Sequence, residues 1–145
     1  MSEFLALHSS TSKLLRALVE RSVRPHGLYP GQDLVLGVLW DDDGRTPGEV
    51  AAALHVTTPT IVKMADRMTE SGLLVRRRDT EDRRLVRLWL TDKARSLRES
   101  IEDSRESLES LVTADLTESE RRCLLTALGK VNRSAAQLLE DPRKP

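Results

Sequence analysis

Apolar residues recur along this chain with distinct periods, and each period predicts an element. Phe4, Leu7, Thr11, Leu14 and Leu18 step by three and four residues, the stripe of one helix face. Pro25 disfavours helical geometry at Arg24 and Gly27 follows, so this helix should end near Arg24. LVLGVLW (Leu34–Trp40) is apolar on all sides and predicts a buried second helix opening at Pro30. Asp41, Asp42 and Asp43 oppose the negative end of that helix and should stop it, with Gly44 turning the chain.

RTPGEVAAALHV then predicts a short helix. Thr46 is placed as N-cap, Pro47 fits the first helical position, and Glu49 completes the spacing of a capping box. It should end near His55. A second short helix starts at once, capped by Thr57 or Thr58 with Pro59 in its first turn. Ile61, Ala65 and Met68 form its buried side with Met64 beside them, and Gly72 stops it. Two short helices on a tight turn make a helix-turn-helix. LLVRR and RLVRLWL alternate like strands on either side of RDTEDR, which predicts a two-stranded β-wing beside it.

Thr91 and Asp92 open a long helix carrying Ala94, Leu97, Ile101, Ser104, Leu108 and Leu111 in heptad steps. A last helix begins at Thr117, with Glu120 completing a capping box, and repeats the spacing through Leu124, Leu128, Val131, Ala135 and Leu138. Such stripes exceed what one small winged unit covers, and predict packing on a second copy; packing of the helices on each other is the alternative. The expected fold is mainly α with a small β-wing. A winged helix-turn-helix at 28–91 is joined to a helical dimerisation region drawn from 1–27 and 92–140, and 141–145 forms a tail.

Charge changes the picture only when it is read locally. The chain of 145 residues has zero formal net charge, which alone argues against a nucleic-acid partner. Residues 57–91, however, carry eight basic and five acidic side chains between acidic flanks. Six arginines fall between Arg76 and Arg87, on the predicted wing. That distribution directs an anion to the middle of the chain.

Composition narrows the classes further. At 3% aromatic and 39% hydrophobic content, the core must be built from Leu, Val and Ala. Cys123 is the lone cysteine, so no disulfide framework is expected, and its place on the last helix reads as a buried, inert thiol. His8, His26 and His55 share no metal-ligand spacing; no metal and no cofactor are expected. No nucleophile–base pair, phosphate loop or carboxylate dyad stands out, so the chain is not read as an enzyme. No stretch reaches membrane-spanning length, and a cytoplasmic location is expected.

From about Leu28 to Arg95 the sequence resembles the MarR family of bacterial transcriptional regulators. GLYPGQDLVLGVLW is similar to the family's second helix, TPGEVAAALHVTTPTIVKMADRMTESGLLVRR to its helix-turn-helix, and DTEDRRLVRLWLT to its wing signature. The resemblance implies a homodimer of intertwined terminal helices, with recognition helices in the major groove and wings in the minor groove of an operator. It also implies a repressor released by a small apolar or phenolic effector. Asp33, at an often apolar position, and Ala94, in place of a frequent Gly, depart from the pattern.

The candidate DNA-reading residues follow from position and chemistry. Thr58, Thr60, Val62 and Lys63 project away from the buried stripe: hydroxyls for phosphates or bases, Val62 for a thymine methyl, Lys63 for a phosphate or guanine. Pro59 and Arg67 on the same helix, and Arg76, Arg83 and Arg84 on the wing, complete the expected DNA-binding set. Arg83 is assigned to the wing tip in the minor groove, where narrow A·T tracts attract guanidinium. Arg76, Arg77, Arg78 and Arg87 serve either as phosphate contacts or in strand-surface salt bridges. Asp66 and Asp82 are assigned to bracing wing arginines, and Trp89 to covering its sheet. An effector cleft is expected near Trp40, between the second helix and the first and fifth. The competing class is a winged-helix module whose arginine wing binds an acidic protein partner.

Overall fold

A computed structural model describes residues 2–141 and 143. Its elements are α1 (Glu3–Val23), α2 (Gln32–Asp41), α3 (Pro47–Leu54), α4 (Thr58–Glu70), β1 (Leu74–Arg78), β2 (Val86–Leu90), α5 (Asp92–Ser96), α6 (Arg98–Val112) and α7 (Glu118–Glu140). A 3-10 turn at Arg24–His26 follows α1 and closes on Gly27, whose φ of 77° is left-handed. The chain divides into two compact units, Met1–Leu108 and Glu109–Pro145.

In the first unit α2, α3 and α4 bury their apolar faces together with the base of the wing. Leu36, Leu39, Val50, Ile61, Met68, Leu73, Leu74, Leu88 and Ile101 are fully enclosed. Burying one such side chain contributes about 1.5–3 kcal/mol. β1 and β2 pair antiparallel from Leu74 opposite Leu90 to Arg78 opposite Val86. A bridge from Arg45 to Leu88 adds one residue of a third strand, so the wing is anchored to the loop before α3. Gly44 turns that loop at φ 75°, and the Trp89 ring lies where a β-carbon would be, within 2.4 Å of it. Glycine is required there by both backbone and space.

Several local readings need correction. α2 starts at Gln32 and not at Pro30. Tyr29 and Gln32 close a turn on each other, the Tyr29 N–H donating to Gln32 Oε1 (3.1 Å) and the Gln32 N–H to the Tyr29 carbonyl (3.1 Å). Pro30 and Gly31 are held outside the helix by it. At α3 only half of the expected capping box forms: Thr46 accepts the Glu49 N–H, while the Glu49 carboxylate lies 3.8 Å from Arg87. The long helix after the wing is broken at Leu97. The Ala94 carbonyl that should receive the Arg98 N–H instead accepts the Trp40 indole (3.1 Å) and the Leu97 N–H (3.3 Å).

The second unit is built on the end of α6 and on α7. Thr117 and Glu120 form a complete capping box at the start of α7, and Arg121 bonds Glu109 at 2.7 Å. No residue of α7 is buried. Leu124, Leu128, Val131 and Leu138 stand between 41% and 47% exposed. Cys123 is exposed as well, contrary to its reading as a buried thiol, because α7 has nothing packed over it within the chain.

Candidate nucleic-acid interface

The second short helix, α4, is amphipathic by spacing. Ile61, Ala65 and Met68 are buried, which leaves Thr58, Pro59, Thr60, Val62, Lys63 and Arg67 exposed on the opposite side. Val62 is 41% exposed, a β-branched apolar side chain in solvent on a polar face. Neither Lys63 nor Arg67 makes an ion pair among the described residues. The helix begins after the turn at His55, which takes a left-handed φ of 55° and ends α3. Thr57 caps α4 by backbone geometry, its hydroxyl meeting that of Thr60 at 2.8 Å.

The wing arginines divide by what they touch. Arg76 leaves β1 to bond Asp66 of α4, tying the strand to the recognition helix. Arg87 on β2 donates to Asp79 at 2.8 Å and to the Gly44 carbonyl at 2.9 Å, so the loop, the strand and the chain before α3 are held by one guanidinium. The Asp79 carboxylate also accepts the Asp82 N–H (2.8 Å). Asp82 in turn accepts the backbone N–H, Nε and second terminal nitrogen of Arg84, at 3.1, 3.0 and 3.1 Å. Arg78 bonds the Arg83 carbonyl at 2.8 Å. The Arg83 side chain makes no ion pair among the described residues. Its backbone is pinned and its guanidinium is free, which is how a probing tip is preorganised.

The same contacts tune the carboxylates. The Arg87 hydrogen bond first, then the Asp82 N–H, hold Asp79 below its ordinary value; Arg84 does the same for Asp82. Asp79 and Arg87 were not singled out as a pair from sequence. Asp79 is one of three acids interleaved with six arginines, and spacing does not say which acid meets which base.

A hollow of about 460 Å³ lies between α1, α2, α4 and α6, lined on its apolar side by Val19, Leu34, Leu54, Val56, Ile61 and Met64. Arg16, Glu20, Asp33 and Arg105 supply its charge. Asp33 is only 3% exposed and takes Arg105 at 3.3 Å. Burial raises its pKa, and Arg105 pulls it partly back. Trp40, placed at such a cleft from sequence, does not line it: its indole N–H is bonded to Ala94 and its body packs against the core. Trp40 borders a smaller surface hollow with Leu39, Leu90 and Arg98. No cluster of metal-ligating side chains occurs among the described residues.

A paired set of short helices with an exposed second helix and an adjoining arginine hairpin defines a winged helix-turn-helix. The MarR family model matches residues 26–85, the segment that carries these elements. The HTH-type transcriptional regulator TtmR of Methylorubrum extorquens (strain PA1) is 33% identical over 106 residues, covering 73% of this chain and 53% of that protein. The HTH-type transcriptional regulator MgrA of Staphylococcus aureus is 28% identical over 126 residues, 87% of this chain and 84% of that one. A MarR family transcriptional regulator from Listeria monocytogenes, solved in complex with 26mer DNA, has the same fold at TM-score 0.87 and 19% identity, covering 100% of this chain and 99% of that one. Through its winged helix-turn-helix the chain belongs to the MarR family. It spans about half the length of TtmR. None of these relatives is an enzyme; each is named as a transcriptional regulator.

Proposed function

We propose that this chain is a sequence-specific DNA-binding transcriptional regulator that acts in the cytoplasm as a homodimer on a pseudo-palindromic operator. The observation that carries this reading is the outer face of α4. Thr58, Pro59, Thr60, Val62, Lys63 and Arg67 are exposed there, beside a wing whose tip arginine has a fixed backbone and an unpaired side chain. In this reading α4 enters the major groove, with Thr60 and Val62 reading bases and Lys63 meeting phosphate. Arg83 enters the minor groove, Arg84 and Asp82 stiffen the wing, and Arg76 with Asp66 sets its angle to α4.

The homodimer is proposed from the apolar stripes left uncovered on α1 and α7, where Phe4, Leu7 and Leu14 are 50%, 67% and 65% exposed. Regulation is proposed as repression relieved by a small apolar or phenolic effector in the hollow between α1, α2, α4 and α6. Thr60, Ile61 and Met64 line that hollow and belong to the recognition helix, so an occupant bears directly on it. Footprinting of the protein on the DNA upstream of its own gene tests the reading. Two symmetric half-sites about one helical turn apart, ~10 bp centre to centre, are expected. A single asymmetric footprint would rule out the symmetric dimer.

A further inference from the structure

Tyr29 stands on a rigid turn with nothing to do inside the fold. The reciprocal bonds between Tyr29 and Gln32 hold its backbone, Gln32 is 2% exposed, and Pro30 restricts the next residue. Gly31, at φ 85°, lets the Met64 methyl approach to 3.0 Å of where its β-carbon would be, so this turn is seated against α4. Yet the Tyr29 side chain is 69% exposed, and its hydroxyl has no partner among the described residues. A buried aromatic explains itself by packing; an exposed one on a fixed turn does not.

Its neighbours share that condition. A surface hollow of about 250 Å³ is lined by Tyr29, Thr60, Lys63 and Arg67, with Met64 and Gln32 in its wall. Thr60, Lys63 and Arg67 follow one another at three and four residues, one stripe along α4. The hollow contains two cations without ion-pair partners and no acidic side chain. Glu70 lines only the adjoining hollow, beyond Arg67, and marks where the anion-favouring stretch ends.

We infer that Tyr29, with Lys63 and Arg67, forms a clamp for a DNA backbone phosphate at the edge of the recognition helix, with the phenol as a neutral hydrogen-bond donor. The occupant is taken to be operator backbone because the clamp is continuous with the exposed face of α4 and opposite to it in charge. Tyr29 then positions α4 in the groove without reading a base. This rests on the DNA-binding reading above.

Titrations of labelled duplexes at several salt concentrations test it, using the DNA upstream of the gene and an unrelated duplex. Tyr29→Phe removes the hydroxyl and keeps the ring. It is expected to weaken binding roughly fivefold to tenfold on both duplexes, the worth of a hydrogen bond to a charged group. The slope of log affinity against log salt should not change, because a neutral donor displaces no counterion. Arg67→Gln is expected to weaken binding and lower that slope by roughly 0.9, one phosphate contact. Wild-type affinity for Tyr29→Phe, or an unchanged slope for Arg67→Gln, overturns the clamp while leaving the DNA reading intact. If the wild-type protein shows no salt-dependent duplex binding, the DNA reading fails and takes the clamp with it.

Discussion

α4 and α7 are both amphipathic helices, but only one has its apolar stripe covered. In α4 the residues Ile61, Ala65 and Met68 are at most 1% exposed, and the polar side faces outward. In α7 the stripe of Leu124, Leu128, Val131 and Leu138 is exposed along its whole length. The heptad stripe of α5 and α6 shows both behaviours in turn: Ala94 and Ile101 are buried in the first unit, while Leu111 is 75% exposed in the second. The same periodicity therefore serves two ends. Where α2, α3 and the wing surround it, an apolar stripe closes a core; where they do not, it is a surface that association can bury.

The largest expected effect comes from charging that surface. Leu128→Glu with Leu138→Glu would place carboxylates in the proposed seam, where burial without a partner is strongly unfavourable. Sedimentation should shift from dimer to monomer, and operator affinity should fall about a hundredfold or more once the two half-sites are no longer linked. A double variant that still sediments as a dimer breaks the comparison. The matched change in the other region is Leu36→Ala, which opens a cavity within one chain and should cost about 2–5 kcal/mol of stability. Its melting temperature should drop by an amount independent of protein concentration, whereas the seam variant should lose concentration dependence altogether.

A smaller effect separates two adjacent wing residues. Arg84 is tied to Asp82 by three hydrogen bonds, and Arg83 by its side chain to nothing described. Arg84→Ala should loosen the wing and weaken binding by a similar factor on every sequence. Arg83→Ala should lose affinity mainly where A·T-rich flanks narrow the minor groove, roughly tenfold there for one lost charged contact. Unaltered binding of Arg83→Ala to an A·T-flanked operator would falsify the minor-groove assignment.

The smallest effect is a contrast in pH dependence between wing and core. Asp79 and Asp82 have folded values below the ordinary 3.8. Their contribution is complete above that value and is lost as pH falls through the lower folded values. Asp33 behaves oppositely. Burial raises its folded value above 3.8, so the folded state binds its proton more tightly and stability declines as pH rises from 3.8 through the raised value. Urea midpoints measured across acidic pH should lose that decline in Asp33→Asn and keep the acid-side loss due to the wing. An unchanged profile in Asp33→Asn would show that Arg105 already offsets the burial of the carboxylate.

Helix positions, the turn between α3 and α4, the capping of α7 and the strand pair of the wing were all legible along the chain. Each depends on residues within about one turn or one hairpin of each other, so spacing carries the information. Resemblance to the MarR family was legible for the same reason, since its motif is a contiguous run. The site was legible as a face, Thr58 through Arg67, and as a cluster of arginines. It was not legible as a set of pairs. Arg76 on Asp66, Arg87 on Asp79 and Gly44, and Arg105 on Asp33 join positions that only the folded chain brings together.

The role of Trp40 and the break at Leu97 belong to the same class. One indole N–H takes a carbonyl 54 residues away in sequence, interrupts a helix that its own pattern continues, and leaves Trp40 away from the hollow it was expected to line. Tyr29 is the converse: an ordinary residue in a loop until the turn against Met64 sets it beside Lys63 and Arg67. Periodicity and capping act through the local backbone and are written residue by residue. Six arginines compete for nearby carboxylates, and an acid–base pairing is decided by distances of a few ångström that exist only once the chain has packed.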